Sequence, residues 1–591
     1  MQSQWNNEDA AKIENDLLSL RAYATATFYK SVTGVHLFGT VKTTSRDVFG
    51  EDRTHLFIPR AGKYISLDNE RLVKLGQLDC LPSQDLPLQL SLCGELQPSQ
   101  APTADTLLHA AIPSRFVDQT CSSATLALAN HTNVKALTTE IFGNRVAVSP
   151  TKKSRSEQVK AILALLDSSE LGGILVPSLG LLTFSDEANE CHDRTVFLNA
   201  ATKAYFETTS TTTEPKEATA TQTMEIAMLR QFISKKKGQA LVVVHDDSAS
   251  SRSLAGSKTA QSLGAVTDGN HEESISSDAP GCTILWPNRG VFGFGQDKHE
   301  ARKVAQFATQ VGEAKILANA TGGWVETTIT GPEAYSSHEG LLQGKIALVS
   351  GSAAGIGLAT ATTLAEAGTC VIGVDINPEI NSIMEGIGAL GITVDLTKED
   401  QIGSLIERII REFGGLDIVV SNAGIFTAGA YLEDMEQRKW ERSIAVNLTS
   451  HQMLLKHAIP FVKKGINPTI IFIGSRNVNA PGAGAASYSC AKAALTQLCR
   501  VAALELASEG VRVNIIHPDA VFDTKLWTKE ALERSAERYG ITVEQYKKRN
   551  LMKTEITSRS VGNTVVALAS DAFAKTTGAQ IPVDGGNDRI I

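Results

Sequence analysis

The feature that most constrains the fold is a series of short apolar segments, separated by helix-like segments, that runs from Lys345 to the end of the chain. The helix-like segments include residues 356–367 and 400–413. Uninterrupted apolar strands that alternate with helices are typical of a parallel sheet covered by helices on both faces. The sequence therefore predicts an α/β fold with a doubly wound parallel sheet. The predicted strands are KIALVSG, TCVIGVD, LDIVVSN, TIIFIGS, RVNIIHP and AQIPVDG.

A glycine-rich turn, SGSAAGIG at residues 350–357, follows the first predicted strand and opens a helix. Glycines at such a turn let the backbone approach a pyrophosphate, whose charge then lies at the helix N-terminus. Asp375 ends the next strand, 24 residues after Gly351, where a carboxylate binds ribose hydroxyls and repels a 2′-phosphate. No Arg or Lys stands at positions 352, 353 or 376. The pattern predicts a Rossmann-type site for NAD rather than NADP, with a purely structural turn as the alternative.

A tyrosine and a lysine, Tyr488 and Lys492, lie four residues apart in a predicted helix and therefore share one face. A free phenol titrates near pH ~10, so it is a poor base at neutral pH unless a nearby cation stabilises the phenolate. Ser475 ends a predicted strand 13 residues before Tyr488 and can hydrogen-bond a substrate oxygen. Asn447 can hold a water that relays protons through Lys492. Each residue alone is more often structural, but together they predict acid–base catalysis.

These motifs resemble those of the short-chain dehydrogenase/reductase family, and the resemblance covers residues 341–591. It implies that Ser475, Tyr488 and Lys492 form a catalytic triad, that Asn447 is its fourth member and that Asp395 lies beside the adenine. The cofactor-binding residues that it implies are Gly351, Ser352, Gly355, Ile356, Gly357, Asp375, Asp395, Leu396, Asn422, Ala423, Gly424, Tyr488, Lys492 and Pro518.

Two positions depart from the family pattern. Ser350 replaces the usual threonine that opens the glycine motif and keeps its hydroxyl group. Pro518-Asp519-Ala520 stands where the family has Pro-Gly after the sixth strand. We therefore expect a specialised loop and lid over residues 519–555.

The lid sequence and the chain end resemble a narrower group of bifunctional proteins, which join a class II, rhamnulose-1-phosphate-type aldolase to an alcohol or lactaldehyde dehydrogenase. Residues 103–130 and 176–184 resemble this group's metal-binding segments, but Gln119, Cys121 and Leu179 stand where histidine ligands are expected. Zinc needs imidazole, thiolate or carboxylate ligands. We therefore expect a metal-free aldolase-like region, a pseudo-aldolase with no metal site. A site rebuilt from His109, His131 or His192 is the alternative.

The chain is predicted to contain four parts. Residues 1–207 form a class II aldolase-like α/β region, 208–223 a threonine-rich linker, 224–336 a second aldolase-like α/β unit and 341–591 the dehydrogenase domain. Residues 174–184 and 284–294 form a weak repeat at an offset of 110 residues. Duplication and chance agreement both remain open as its explanation.

Composition excludes several classes of protein. A formal net charge of −8 is unsuited to a broad nucleic-acid-binding surface. No run of about 18 apolar residues is present, so no membrane segment is expected. The polar, acidic first residues do not resemble a signal peptide, and the eight scattered cysteines suit reduced thiols. We expect a cytoplasmic protein that forms a homo-oligomer, either a dimer or a tetramer.

The sequence thus predicts an NAD(H)-dependent oxidoreductase that interconverts a carbonyl with a secondary alcohol, a hydroxyaldehyde or a sugar-derived polyol. Two alternatives remain open: an active bifunctional class II aldolase/dehydrogenase and a non-catalytic NAD-binding scaffold. The substrate is a small polar molecule. Basic residues in the lid and Arg476 beside Ser475 are compatible with a polar or anionic substrate, and exposed charges that only increase solubility are the alternative.

Overall fold

The computed structural model describes residues 36–46, 52–60, 63–69, 72, 106–150, 155–166, 171–177, 179–209, 221–269, 283–326, 340–426, 429–524 and 527–586. The strands are β1 (His36–Arg46), β2 (Asp52–Arg60), β3 (Lys63–Asp68), β4 (Phe116–Cys121), β5 (Val146–Val148), β6 (Gly173–Val176), β7 (Gly180–Ser185), β8 (Val242–Asp246), β9 (Ala265–Val266), β10 (Thr283–Trp286), β11 (Gly290–Gly295), β12 (Ile346–Ser350), β13 (Cys370–Asp375), β14 (Leu390–Thr393), β15 (Ile418–Ser421), β16 (Thr469–Ile473), β17 (Arg512–Pro518) and β18 (Gln580–Val583).

The α-helices of these residues alternate with the strands along most of the chain. They are α1 (Thr106–Ala111), α2 (Ser123–Ala129), α3 (Val134–Phe142), α4 (Arg155–Leu163), α5 (Ala188–Thr209), α6 (Thr223–Lys237), α7 (Ala249–Ala255), α8 (Lys298–Thr321), α9 (Gly355–Glu366), α10 (Ile380–Glu385), α11 (Glu399–Phe413), α12 (Gln437–Ile444), α13 (Ser450–Val462), α14 (Ala486–Leu506), α15 (Lys529–Arg538), α16 (Val543–Lys547) and α17 (Ser558–Ala569).

The C-terminal sheet has seven parallel strands in the order β14-β13-β12-β15-β16-β17-β18. Helices α11, α13 and α14 cover one face and helices α9 and α17 the other, so two separate apolar cores flank the strands. The predicted doubly wound parallel sheet is confirmed. The strand order reverses beside β12, so the loops after β12 and β15 diverge there and leave a crevice at the carboxyl ends of the strands.

Two further sheets precede this domain. The first has seven strands in the order β3-β2-β1-β4-β7-β6-β5, and all of its pairs are antiparallel except β5 with β6. The second has four strands in the order β8-β11-β10-β9. Helices pack on both sheets, which is an α/β arrangement. The assignment of these regions to an aldolase-like fold stays a prediction, and so do the four domain boundaries.

The two repeated segments form the same local structure. Residues 174–184 contain the β6–β7 hairpin and residues 284–294 the β10–β11 hairpin, and a long helix follows each. The shared glycines have φ of 88° at Gly180 and 123° at Gly290. A Cβ atom at either position would lie 2.4 or 2.1 Å from a neighbouring backbone oxygen. The two segments thus share a glycine at a tight hairpin turn that leaves no room for a side chain.

Helix α8 connects the packing of all three sheets. Val311, Ala314 and Ala318 near its C-terminal end belong to the core beside the first sheet, whereas Ala301 belongs to the core of the C-terminal domain. Arg230 on α6 reaches the same domain and pairs with Asp417, which precedes β15, and both side chains are fully buried. The preceding units therefore pack directly against the C-terminal domain.

Candidate active site

The glycine-rich turn closes tightly against the neighbouring strands. The amide of Gly351 donates to the carbonyl of Val374 at 2.8 Å, and that of Ser352 donates to the same oxygen at 3.2 Å. Gly351 and Gly355 have φ of 67° and 54°, a region that favours glycine. A Cβ on Gly357 would lie 1.9 Å from the Gly351 oxygen. The glycines therefore allow helix α9 to begin directly against the turn.

Asp375 lies at the end of β13, beside the turn. Its Oδ2 accepts a hydrogen bond from the Ala353 amide at 3.1 Å, and its Oδ1 accepts one from the Asn377 amide at 3.0 Å. Each carboxylate oxygen keeps a second lone pair for another donor. The carboxylate is thus held by the backbone of the turn while it still accepts hydroxyl groups.

The segment after β15 packs on the turn from the other side. The side-chain amide of Asn422 donates to the carbonyls of Ser350 at 2.8 Å and Gly351 at 3.1 Å. The Ser350 hydroxyl accepts from the amides of Asn422 and Ala423 at 2.9 and 3.0 Å. The Ser350 hydroxyl, which a threonine would also have, therefore holds the segment after β15 against the turn. Gly424 follows, and a Cβ at this position would lie 3.0 Å from the Asn447 Oδ1.

The remaining cofactor-site residues of the sequence analysis line the same edge of the sheet. Asp395 follows β14, and a hydrogen bond from the Thr397 hydroxyl at 2.7 Å lowers the pKa of its carboxyl group. Leu396 is buried in the core beneath it. Pro518 ends β17 and pairs with Val583 of β18. Ser352 is buried, and Ile356 packs against the core below α9.

Tyr488 and Lys492 lie one turn apart on α14, as the sequence predicts. The Lys492 Nζ is 5.8 Å from the centroid of the Tyr488 ring and donates to the Ile473 carbonyl at 2.8 Å. Burial lowers the pKa of Lys492 to about 8. Burial raises the pKa of the Tyr488 phenol, and a hydrogen bond with the Ser475 side chain opposes that rise. The structure thus brings Ser475, Tyr488 and Lys492 into one cluster.

Asn447 lies in a π-helical segment, residues 445–449, between α12 and α13. Its Oδ1 accepts from the Ile425 amide, and its Nδ2 donates to the Ile425 carbonyl, both at 3.0 Å. The Nδ2 also donates to the Ser443 hydroxyl at 3.1 Å. Such π-segments occur frequently at functional sites, and this one turns a buried amide toward the Gly424 loop beside Lys492.

His517 was not predicted from the sequence. Its Nδ1 lies 3.2 Å from the Ser475 amide nitrogen and 3.1 Å from the Ser475 carbonyl oxygen. The ring fits there because residue 474 is glycine: a Cβ at Gly474 would lie 2.5 Å from the His517 Nδ1. The imidazole therefore fixes the backbone that carries the Ser475 hydroxyl. The pairing of Gly474 with a histidine 43 positions later gives no local signal in the sequence.

Arg476 and Asp519 form an ion pair at 2.5 Å between the residue after Ser475 and the residue after Pro518. Asp519 occupies the position where the family pattern has glycine. The aromatic rings of Phe522, Trp527 and Tyr546 pack together behind it, with centroids 5.0 to 6.1 Å apart. Helices α15 and α16 lie within the predicted lid region, and Tyr546 of α16 joins this aromatic cluster.

The residues at the crevice fit a dinucleotide. The turn requires glycine at positions 351 and 357, because a Cβ at either would collide with neighbouring atoms. The two carboxylate oxygens of Asp375 can accept hydrogen bonds from ribose hydroxyls, and no cationic side chain among the described residues pairs with them. The donor and acceptor pattern suits a ribose without a 2′-phosphate.

The predicted aldolase positions lie near each other in the first sheet. The Gln119 side chain donates to the Leu179 carbonyl at 3.4 Å, and its Oε1 is 3.1 Å from the His109 Nε2. Burial lowers the pKa of His109 to about 4. Cys121 packs at the edge of the neighbouring core. Among the described residues, no three His, Cys, Asp or Glu side chains are grouped as metal ligands would be.

The other two candidate histidines have separate environments. The His131 Nδ1 accepts from the Asn133 amide at 2.9 Å, and its Nε2 lies 3.3 Å from the Thr321 hydroxyl. His192 lies on α5. The structure therefore does not bring His109, His131 and His192 together as a rebuilt site.

Comparison with known proteins covers both halves of the chain. The family model described as Enoyl-(Acyl carrier protein) reductase matches residues 351–588. The uncharacterized oxidoreductase YuxG of Bacillus subtilis (strain 168) is 25% identical over 652 residues, which span 93% of this chain and 93% of the relative. A crystal structure of 3-ketoacyl-(acyl-carrier-protein) reductase from Brucella melitensis complexed with NADH is 26% identical, with a TM-score of 0.38, and covers 42% of this chain and 99% of that chain.

Two relatives match the C-terminal part alone. Cis-4-hydroxycyclohexanecarboxylate dehydrogenase of Sinomonas cyclohexanicum is 34% identical over 250 residues, 41% of this chain and 96% of the relative. D-beta-hydroxybutyrate dehydrogenase of Rhizobium meliloti (strain 1021) is 34% identical over 255 residues, 41% of this chain and 98% of the relative.

The similarity to these dehydrogenases shows that the chain is an oxidoreductase that acts on CH–OH groups. Through its C-terminal domain, the chain belongs to the short-chain dehydrogenase/reductase family. NAD(H) is a cofactor of this family. Within the described residues, no helix is both long enough and apolar enough to cross a bilayer.

Proposed function

We propose that the C-terminal domain interconverts a secondary alcohol, a hydroxyaldehyde or a sugar-derived polyol with its carbonyl form, using NAD(H). The observation that carries this proposal is the cluster in which Lys492 lies 5.8 Å from the Tyr488 ring while the Ser475 side chain bonds the same phenol. A phenol with a cation beside it is the group that takes or gives a proton at a hydroxyl carbon.

Each member of the cluster has one task in this reaction. Tyr488 accepts the hydroxyl proton of the alcohol during oxidation and returns it during reduction. Ser475 hydrogen-bonds the reacting oxygen, and the Lys492 ammonium stabilises the phenolate. Asn447 shapes the loop beside Lys492 and holds a water for proton exchange. The bound NAD supplies the acceptor for the hydride that leaves the carbinol carbon.

Asp375 supports NAD as the preferred cofactor over NADP. A carboxylate fixed by two backbone amides accepts ribose hydroxyls, and it would repel the negative charge of a 2′-phosphate. The glycine-rich turn would hold the pyrophosphate at the N-terminus of α9. These residues and the carbonyls and amides of Asn422 to Gly424 make up the proposed cofactor site.

The substrate is a small polar molecule. Two relatives are named as dehydrogenases of hydroxy acids, which supports a secondary alcohol as the reacting group here. We propose that the enzyme is cytoplasmic and forms a homo-oligomer, a dimer or a tetramer.

For the N-terminal half we propose a degenerate, metal-free aldolase-like module. The Gln119 side-chain amide is hydrogen-bonded to both the Leu179 carbonyl and the His109 ring. Residues 119 and 179, two of the positions where metal ligands are expected, are therefore hydrogen-bonded to each other. An active bifunctional aldolase/dehydrogenase is the rival proposal and requires a bound divalent metal. A non-catalytic scaffold is the other rival, and the Ser475, Tyr488 and Lys492 cluster argues against it.

The test is Tyr488→Phe, with Tyr205→Phe on α5 as the matched control. General acid–base catalysis contributes about 10²- to 10⁴-fold. We expect kcat to fall by that factor in Tyr488→Phe while the Kd for NAD, measured by calorimetry, stays within about twofold. The control should keep wild-type kcat. A Tyr488→Phe enzyme within twofold of wild-type kcat would remove Tyr488 from the mechanism.

A further inference from the structure

The ladder of backbone hydrogen bonds between β16 and β17 ends just before Ser475. The Gly474 amide donates to the Ile516 carbonyl at 2.7 Å, and the register of the two strands, continued by one residue, places Gly474 opposite His517. In a parallel pair the next donor would be the amide of residue 518. Residue 518 is proline, which has no N–H group, so the backbone of β17 cannot extend the ladder to Ser475.

The His517 side chain holds Ser475 where the backbone of β17 cannot. Its Nδ1 lies 3.2 Å from the Ser475 amide nitrogen and 3.1 Å from the Ser475 carbonyl oxygen. A ring nitrogen with a lone pair accepts from the amide, and one that carries a proton donates to the carbonyl, so either tautomer bonds this backbone. His517 is only 5% exposed, so water competes little for the contact.

A second contact holds the same segment at the residue that follows Ser475. Arg476 forms an ion pair with Asp519 at 2.5 Å. Residues 475 and 476 are thus joined to residues 517 and 519 by two successive side-chain contacts, which connect the end of β16 to the end of β17. Asp519 stands where the family pattern has glycine, and a glycine could not form this contact.

The position of the Ser475 hydroxyl follows from the position of this backbone. Ser475 is extended, with φ of −166° and ψ of 149°, and its Oγ accepts a hydrogen bond from the Asn477 amide at 3.2 Å. The same side chain bonds the Tyr488 phenol. Since Oγ is only two bonds from Cα, a shift of the Ser475 backbone moves the hydroxyl relative to the phenol.

The environment of His517 suits positioning rather than proton transfer. Burial lowers the pKa of His517, the Lys492 ammonium lowers it further, and the Ser475 backbone and the Gln580 side chain oppose this effect. The ring is therefore neutral at neutral pH. Its Nδ1 contacts the backbone of Ser475, whereas it is the Ser475 side chain that bonds the phenol.

We propose that His517 is a positioning residue for the reaction: through the backbone of Ser475 it sets the distance between the Ser475 hydroxyl and the Tyr488 phenol. This inference rests on the proposed function and adds a residue to it. Catalytic groups must be held within about 0.5 Å of the productive geometry. A misplacement of about 1 Å can lower a rate by about 10²-fold. His517 should therefore affect kcat and leave cofactor binding unchanged.

The first experiment removes or moves the nitrogen that contacts Ser475. His517→Leu has no ring nitrogen, and we expect kcat to fall about 10- to 100-fold while the Kd for NAD, measured by calorimetry, stays within about twofold. His517→Asn places an amide atom close to the position of Nδ1 and should recover most of kcat. His517→Gln places its amide one bond farther out and should not recover it. This variant replaces His517→Leu if the latter does not fold.

The matched control is His245→Leu. The His245 ring also bonds a backbone carbonyl, that of Arg289, but it lies on β8 in the second sheet. This variant should keep wild-type kcat. If His245→Leu lowered kcat as much as His517→Leu does, the loss would reflect the removal of a packed histidine, and the positioning role would be overturned.

The second experiment tests whether His517 acts through Ser475. In a Ser475→Ala background the hydroxyl to be positioned is gone, so adding His517→Leu should lower kcat by less than about twofold further. Single turnovers at high enzyme concentration measure these low rates. A merely structural histidine would lower kcat by the same factor in both backgrounds. Equal factors would therefore overturn the inference, and so would a His517→Leu enzyme with wild-type kcat.

Crystal structures of wild type and His517→Leu with NAD give a readout that needs no substrate. We expect the distance from the Ser475 Oγ to the Tyr488 Oη to lengthen by about 0.5 Å or more, and an unchanged distance would overturn the positioning role. If wild type oxidises no secondary alcohol but the distance lengthens, the proposed function fails and the positioning contact stands. If wild type is active and neither kcat nor the distance changes in the variant, the proposed function stands and this inference fails.

Discussion

At the scale of single residues, Asp375 performs two tasks with one carboxylate. Its two oxygens hold the amides of Ala353 and Asn377, which fixes the glycine-rich turn relative to β13. The lone pairs that remain point out of these contacts and can accept ribose hydroxyls. A substitution at this position therefore changes both the shape of the turn and its charge, and the two effects must be separated by experiment.

We predict that Asp375→Ala combined with Ile376→Arg shifts the preference from NAD toward NADP. The change removes a carboxylate that repels the 2′-phosphate and adds a guanidinium that pairs with it. The ratio of kcat/KM for the two cofactors measures the shift. Ile376→Arg alone is the control and should shift the ratio less, because Asp375 remains. A wild-type preference for NADP would contradict the role given to Asp375.

The sequence could predict the cluster of Ser475, Tyr488 and Lys492 because each residue lies at a fixed distance from a strand or helix end. It could not predict His517 or the Arg476–Asp519 pair. Those contacts join strand ends that are more than 40 residues apart, and no periodic pattern connects them. Their only local signal was the absence of the usual Pro-Gly after the sixth strand, which indicated that this loop is specialised.

At the scale of elements, the start of α9 depends on two backbones that nearly touch. A Cβ at Gly357 would lie 1.9 Å from the Gly351 oxygen and 2.6 Å from the Asn422 Nδ2. Neither neighbour can move away freely. The Gly351 oxygen belongs to the backbone, and the Asn422 side-chain amide donates hydrogen bonds to the carbonyls of Ser350 and Gly351. The turn, the helix and the segment after β15 are therefore fixed together.

We predict that Gly357→Ala weakens NAD binding by at least tenfold, since relieving this overlap must open the turn that faces the pyrophosphate. The Kd for NAD, measured by calorimetry, checks the loss. Gly403→Ala on α11 is the matched control, because a Cβ there meets only ordinary contacts at 3.5 Å. It should leave the Kd unchanged and keep or slightly raise stability. Unaltered NAD binding in Gly357→Ala would show that the turn adapts.

The sequence predicted six of the seven strands of the C-terminal sheet and the two helices that it named, within one residue for α9 and α11. Strand β14, with the sequence Leu390–Thr393, was not recognised. It lies at the sheet edge, it has four residues, and two of its residues are only half-buried, so its apolar signal is short. The order of the strands follows from pairing across the whole sheet and cannot be derived from any one segment.

At the scale of the whole molecule, Arg230 and Asp417 join the preceding unit to the C-terminal domain. The Arg230 Nη1 and Nη2 donate to the two Asp417 oxygens at 2.9 and 2.6 Å. Asp417 also accepts from the amides of Ile346 and Ile466 at 2.8 and 2.7 Å. Because both side chains are fully buried, removing either one leaves an uncompensated charge in the interior.

We predict that Arg230→Met lowers the free energy of unfolding by about 3 to 5 kcal/mol, the usual cost of breaking a buried ion pair from one side. Urea denaturation followed by circular dichroism measures it. Lys298→Met is the matched control, because Lys298 pairs with Glu412 of the C-terminal domain. The Lys298 and Glu412 side chains are 27% and 30% exposed, so this ion pair should contribute only about 0 to 1 kcal/mol. Equal losses in the two variants would contradict the special role of the buried pair.

We also predict that the purified full chain contains no stoichiometric divalent metal and shows no aldol cleavage. Gln119, Cys121 and Leu179 replace the three expected histidines, and Leu179 offers only its backbone oxygen, to which Gln119 already donates. Elemental analysis and dehydrogenase assays in excess EDTA are the measurements. About one zinc per chain, or NAD-linked activity lost with EDTA and restored by zinc, would favour the bifunctional enzyme.

Helix α8 and the Arg230–Asp417 pair together constrain how the gene for this protein can evolve. A recombination event that copied only the last two fifths of the gene would deliver a dehydrogenase that carries Asp417 without its cation and a core face without Ala227 and Ala301. Such a fragment would need new substitutions before it could fold well by itself. The two halves are therefore expected to be inherited as one unit, even where the first has no chemistry of its own.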